Sequence, residues 1–278
     1  MSQTPTSRTL KVPGATLYYE VRGQGPVLLM IPGGPTDAGI FAGLAAALAD
    51  RYTVVAYDPR GNSRSVFDAT PVEQDMDVNA DDAAALIDAL GGAPVCVLGS
   101  SGGAQIGLDL AARHPEKVRV LVAHEPPCVL LLPDPAQGQA VTDAVYDTWK
   151  SQGAGPAMGV FMQMAGLGGE PPQPQAAPPN PEAGAAFARI GGNIDYFLGH
   201  GFRPISNYIP DVAALRAGPA AVVVGVGEDS AGQLAWRSAT ALAKQLGTPA
   251  NQFPGDHGGY GAQPEAFATR LDEVLRGG

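Results

Sequence analysis

Apolar residues along this chain fall into two alternating rhythms. Short, nearly continuous runs rich in β-branched residues occur at 27–31 (VLLMI), 52–58 (YTVVAYD), 95–98 (VCVL), 118–124 (VRVLVAH), 220–226 (AAVVVGV) and, more briefly, 251–253 (NQF). They lack the period of two of a half-solvated strand and predict parallel strands covered on both faces. Between them, the stretches 41–50, 78–91, 104–114, 233–247 and 264–276 carry apolar residues at helical spacing. Near the start, TLKVPGATLYYEV predicts an antiparallel hairpin turning at Pro13-Gly14. Strands and helices alternating over this length predict an α/β fold, a doubly wound and mostly parallel sheet.

The rhythm breaks between about Pro126 and Pro210. Helical spacing predicts helices over 136–150 and 182–199, and six prolines between 171 and 181 predict an extended connection between them. Because strand–helix alternation then resumes, 128–210 is expected to be a lid inserted into a core made of 1–127 and 211–278. The plainer alternative is a long crossover.

With 278 residues, 45% of them hydrophobic and 16% charged, the chain can bury a sizeable core. The net charge of −10 argues against nucleic acid or an anionic membrane as a partner. No apolar run reaches a membrane span, and the N-terminus lacks the apolar stretch of a signal peptide, so a cytoplasmic protein is expected. Cys96 and Cys128 stand too far apart for a zinc motif and do not make a disulfide framework. Nothing in the sequence marks a dimer face, although a homodimer is compatible with it.

Candidate chemistry begins at the end of the 95–98 run. In Gly99-Ser100-Ser101-Gly102-Gly103 the pattern Gly-x-Ser-x-Gly fits one register only, centred on Ser101, with a strand before it and a helix after it. Such an elbow presents the serine hydroxyl above the sheet at the positive end of the following helix. A glycine–serine turn without chemistry is the plain alternative. A nucleophilic serine needs oxyanion donors: the amide of Gly102, and the amide of Gly34 in the glycine-rich loop after the 27–31 strand. Of the four histidines, His114 suits a helix end, His124 ends a strand and His200 lies in the expected lid. His257, in the loop FPGDHGGYG after the last strand, follows Ser101 in the order that a Ser…acid…His arrangement requires. Its neighbour Asp256 is expected to point away from it.

The stretches PGGP (32–35), YDPRGNSRS (57–65), GSSGG (99–103), AAVVVGVGEDS (220–230) and PGDHGG (254–259) resemble those of α/β-hydrolases. In YDPRGNSRS, Arg60 and Arg64 are expected to tie loops together. Pro32 stands where many relatives have histidine. The resemblance places the triad acid either after the 220–226 strand, at Glu228 or Asp229, or one strand earlier, at Glu125. A narrower resemblance, carried by SSG, HEPPCVLL, VGVGEDSAGQ and PGDHGGYGAQPEAFA, is to the zearalenone-hydrolysing lactonases. It implies Glu125 as the acid and leaves Glu228 and Asp229 as surface charges.

The expected reaction is hydrolysis of a small-molecule ester or lactone through an acyl-enzyme, with no metal and no organic cofactor. Tyr196, Phe197 and Phe202, with Met158, Met162 and Met164, are candidates for an apolar pocket lining suited to a sizeable hydrophobic or aromatic substrate. Serine at the elbow argues against haloalkane dehalogenase and epoxide hydrolase, whose chemistry needs a carboxylate there. Carbon–carbon bond hydrolysis and amide hydrolysis share the same triad. A ligand-binding protein that keeps the scaffold with little turnover is the alternative from another class.

Overall fold

The computed structural model describes residues 4–92, 94–165 and 181–277. Nine strands form one sheet: β1 (Thr6–Val12), β2 (Ala15–Arg22), β3 (Val27–Ile31), β4 (Thr53–Tyr57), β5 (Val66–Phe67), β6 (Val95–Ser100), β7 (Val118–His124), β8 (Ala221–Gly227) and β9 (Asn251–Phe253). Their order is β1-β2-β4-β3-β6-β7-β8-β9, with β5 beside β2. The β1–β2 hairpin turns at Gly14, whose φ of +79° suits glycine. β2 pairs antiparallel with β4, and from β4 through β3 to β9 every pairing is parallel. The expected doubly wound sheet is present, with the two-residue β5 as an addition that its length hides from sequence pattern.

Eleven α-helices are described: α1 (Ala42–Leu48), α2 (Met76–Ala89), α3 (Gly102–Arg113), α4 (Pro135–Gln152), α5 (Ala154–Met164), α6 (Pro181–Tyr196), α7 (Phe202–Asn207), α8 (Val212–Ala217), α9 (Leu234–Leu246), α10 (Gly259–Ala262) and α11 (Pro264–Gly277). Residues of α2, α3 and α9 pack with Leu29, Val97 and Leu121 on one face of the sheet. Those of α1 and α11 pack with Met30, Leu98 and Val122 on the other. Consecutive strand residues thus enter opposite cores, which is why the central runs are apolar at every position.

Between β7 and β8 the chain forms a helical insert, α4 to α7, with a core of its own around Val141, Val145, Phe197, Leu198, Phe202 and Ile205. The helix expected over 182–199 ends at Tyr196 and passes through a π-helical turn, Phe197–Gly201, before α7. Gly199 lies so close to Trp149 of α4 that a Cβ there would stand 2.8 Å from the indole. The extended connection expected for 171–181 falls, up to residue 180, outside the described residues. Among the described residues no helix is long and apolar enough to cross a membrane.

Arg64 and Arg60 tie loops together as expected. Arg64 bonds both oxygens of buried Asp58, reaches Glu20 at 2.7 Å and stacks on the Tyr18 ring. Arg60 pairs with Asp82 of α2 through two hydrogen bonds and also donates to the Pro13 carbonyl.

Candidate active site

Four strand ends converge at the carboxyl edge of the sheet: the loop after β3 brings Gly33 and Gly34, the end of β6 brings Ser101, the end of β7 brings Glu125, and the loop after β9 brings His257. Ligand sites in open α/β sheets form at this edge.

Ser101 adopts φ 55°, ψ −126°, a conformation that costs a non-glycine residue about 1–3 kcal/mol unless its surroundings impose it. The surroundings do so. The Ser101 amide donates to the His124 carbonyl at 2.9 Å, which extends the β6–β7 ladder by one rung, while the Ser101 carbonyl already accepts from Ala104 at the head of α3. Glycine is obligatory on both sides of the turn. A Cβ on Gly99 would meet the Gly103 carbonyl at 2.4 Å, and one on Gly103 would meet the Ile31 carbonyl at 2.1 Å. The loop after β3 approaches as closely, since a Cβ on Gly33 would stand 2.6 Å from the Gly102 amide nitrogen. The Gly34 amide nitrogen lies 3.5 Å from the position of a Cβ on Gly102. At the head of α3 the Gly102 N–H has no partner within the helix. Both candidate oxyanion donors therefore border the same small space beside Ser101.

Glu125 is fully buried at φ 48°, with its amide donating to the Gly225 carbonyl at 2.9 Å. One carboxylate oxygen accepts from the Gly227 amide at 2.8 Å and the other lies 2.6 Å from His257 Nδ1. Burial pushes this carboxyl up. The hydrogen bond from His257, the two nearby imidazoles and the Gly227 amide outweigh burial and hold it below the usual glutamate value. Glu228 and Asp229 are exposed, and their amides donate to the Phe253 and Gly255 carbonyls. Of the three carboxylates left open by the sequence, the fold brings Glu125 to His257. Asp256 is exposed and accepts from the Gly258 amide, which shapes the loop without touching the imidazole.

The other histidines are placed elsewhere. His114 lies 2.7 Å from Asp81 on the surface, and His200 stacks on Tyr196 in the insert. His124 lies beneath the site, fully buried among Phe253, Tyr260 and Phe267, its ring centre 6.4 Å from that of His257. Burial drops its pKa to about 4, so it is neutral near pH 7.

A cavity of about 220 Å³ opens between the insert and the core. Ser101, His257, Gly34 and Gly102 border it, and its apolar wall includes Val141, Phe161, Phe197, Phe202, Ile205 and Leu234. Of the aromatic candidates, Phe197 and Phe202 line the cavity. Tyr196 does not: its ring packs edge-on against Phe67 at 5.7 Å and crowds Gly61, where a Cβ would stand 2.6 Å from the ring. One residue along a helix turns a side chain by about 100°, so neighbouring aromatics cannot both face the cavity. Met158 packs into the core of the insert, and Met162 and Met164 are 39% and 43% exposed, so none of the three methionines lines the cavity. Sequence reading passed over Phe161, although it stands among those methionines in α5, and it passed over Tyr260. That phenol, three residues after His257, borders the cavity, and burial raises its pKa to about 12.

A family model described as the alpha/beta hydrolase fold matches residues 26–164. The chain belongs to the α/β-hydrolase family. Uncharacterized hydrolase YraK of Bacillus subtilis (strain 168) is 36% identical to it over 279 residues, covering 98% of this α/β-hydrolase and 97% of its own length. Among solved structures, an alpha/beta hydrolase from Sphaerobacter thermophilus DSM 20745 is 27% identical, with a TM-score of 0.68, covering 96% of this chain and 100% of its own. The enol-lactonase from Burkholderia xenovorans LB400 shares the fold at 17% identity, with a TM-score of 0.73, covering 97% of this chain and 100% of its own.

Proposed function

We propose that this α/β-hydrolase cleaves a carboxylic ester or lactone through an acyl-enzyme formed on Ser101. The observation that carries the reading is the 2.6 Å contact between His257 Nδ1 and the buried Glu125 carboxylate, with His257 and Ser101 bordering one cavity. Glu125 holds the imidazole with Nδ1 as donor and leaves Nε2 to take the Ser101 proton. The serine oxygen attacks the carbonyl carbon. The amides of Gly34 and Gly102 stabilise the resulting oxyanion, and each such donor is worth about 10²–10³ in turnover. The imidazolium returns the proton to the departing alkoxide, and a water activated by the same nitrogen releases the acid.

The cavity points to a neutral, hydrophobic acyl or lactone group. Its wall is mostly apolar, with Phe161, Phe197, Phe202, Ile205 and Leu234 among the lining residues, and among the described residues no lysine or arginine lines it. Residues 166–180 hold no lysine, arginine or histidine, so they offer no cation for a carboxylate-bearing substrate. An aromatic macrolactone is among the substrates to try because it is sizeable, neutral and apolar, as the cavity wall is.

An aryl phosphonate with a good leaving group tests the nucleophile directly. Intact-mass and peptide analysis is expected to find one stoichiometric adduct on Ser101, absent from Ser101→Ala. An unmodified wild type, or an adduct on another residue, would remove the acyl-enzyme mechanism.

A further inference from the structure

The loop that supplies the Gly34 amide has each of its carbonyls engaged from Gly33 to Asp37, and part of that grip comes from the insert. The Gly33 carbonyl accepts from the Thr36 hydroxyl at 2.5 Å and from the Thr36 amide at 3.2 Å. The Gly34 and Thr36 carbonyls both accept from Asn62 Nδ2, at 3.0 and 2.9 Å, and the Asp37 carbonyl accepts from the Ile40 amide. The remaining one, Pro35, accepts from Asn193 Nδ2 of α6 at 2.8 Å.

Asn193 is 5% exposed, and its other bonds go to the same place. Its Oδ1 accepts from the Ser63 amide and its Nδ2 donates to the Ser63 hydroxyl, both at 2.8 Å. Ser63 stands at φ 50°, a backbone that a non-glycine residue keeps only when held. It adjoins Asn62, the other side chain gripping the loop. One helical turn before Asn193, Arg189 Nε reaches fully buried Asp37 at 2.5 Å. The second oxygen of Asp37 accepts from the Gly39 amide. Residues four apart on α6 therefore clasp both ends of a short segment, Pro35 and Asp37, while Phe197 at the end of the same helix lies 3.8 Å from a Cβ built on Gly34.

We propose that α6 sets the oxyanion donor, with Asn193 and Arg189 as positioning residues for the Gly34 amide, so that catalytic competence depends on the insert being seated on the core. The proposal rests on the hydrolase reading above. The Gly34 N–H shares its peptide plane with the Gly33 carbonyl; that carbonyl accepts from the Thr36 amide, which shares its own plane with the Pro35 carbonyl held by Asn193, so the grip of α6 reaches the Gly34 N–H in two steps. Displacement of a catalytic group by about 1 Å can cost about 10²-fold in rate.

Asn193→Asp tests this with little change of shape. The carboxylate still accepts from the Ser63 amide but cannot donate to the Pro35 carbonyl. The measurements are kcat and KM on an aryl ester, the Ki of an aryl trifluoromethyl ketone whose hemiketal adduct with Ser101 carries an oxyanion, and the thermal midpoint. The expected result is a kcat about tenfold lower and a Ki about tenfold weaker, with KM within about twofold of wild type. A tether with only a structural role would lower the midpoint and leave both kcat and Ki at wild-type values, and that result would overturn the proposal. If Asn193→Asp does not fold, Asp37→Asn/Arg189→Gln cuts the same clasp without leaving a buried unpaired carboxylate. Parallel losses in kcat and Ki support the proposal, and unchanged values overturn it. Ser101→Ala is run beside these variants. Wild-type turnover there would overturn the hydrolase reading and the proposal together, whereas an inactive Ser101→Ala with an unaffected clasp variant overturns the proposal alone.

Discussion

At the scale of single residues, the site is built from groups held where they would not rest unaided. Ser101 and Glu125 both have positive φ, and each is held by a hydrogen bond that its backbone N–H donates to a carbonyl of the neighbouring strand. Glu125 also carries its charge at full burial, with two donors on its carboxylate. His124 presents the opposite case, a buried base kept neutral. Its pKa falls from the usual 6.5 to about 4, so the unfolded chain takes up this proton first as pH drops. The contribution of His124 to stability is therefore intact above pH 6.5, declines between 6.5 and 4, and at pH 4 and below has fallen by about 3 kcal/mol. Asp109, which burial raises to about 6, acts with the opposite sign over part of the same range. Comparison with His124→Leu isolates the imidazole: urea unfolding at pH 7 and pH 4.5 should show a smaller loss in the variant, and equal losses would contradict the assignment. Ser101 and His257 were legible because their glycine-rich settings are local in sequence. The acid was not legible from the residues alone. Which of Glu125 and Asp229 meets the imidazole depends on β7 lying beside β8 and on the Gly227 amide capturing Glu125, both of them contacts between segments far apart in the chain.

At the scale of elements, the β6–α3 elbow follows from glycines whose missing side chains let strand, helix and the loop after β3 touch. Gly103→Ala places a methyl 2.1 Å from the Ile31 carbonyl, and backbone cannot retreat as a flexible side chain can. A loss of about 3 kcal/mol or more is expected in denaturant unfolding, against less than about 1 kcal/mol for Gly159→Ala, where a Cβ on α5 meets nothing within 4 Å. Comparable losses at the two positions would contradict the close-approach argument. The insert was less legible than the core. Helical spacing marked α4 and α6, but α5 and α7 were absent from that reading. The π turn Phe197–Gly201 carries Gly199 against Trp149 of α4, a contact between residues far apart in the chain that no local pattern displays. Adjacent along the chain, Phe197 faces the cavity and Tyr196 faces Phe67.

At the scale of the whole molecule, a parallel sheet gathers the ends of β3, β6, β7 and β9 at one edge, and the insert roofs that edge with apolar side chains. The sheet was legible because burial on both faces leaves unbroken apolar runs, which sequence alone displays. The cavity was not, because it is bounded by residues from both the core and the insert. Its lining carries an expected preference. An aryl ester with a neutral acyl chain should exceed its chain-terminal carboxylate analogue by at least about tenfold in kcat/KM, since a buried unpaired charge is costly. Equal values would show that the acyl group binds outside this cavity.

The central claim is a triad of Ser101, His257 and Glu125, and the most direct test is product analysis by mass spectrometry with an aryl acetate and an aromatic macrolactone. Wild type is compared with Ser101→Ala, Glu125→Gln and Asp229→Asn. The account predicts hydrolysis by wild type, a loss of about 10⁴-fold or more in Ser101→Ala, about 10²–10⁴-fold in Glu125→Gln, and near-wild-type rates in Asp229→Asn. Full activity in Glu125→Gln together with loss in Asp229→Asn would contradict it, as would an active Ser101→Ala.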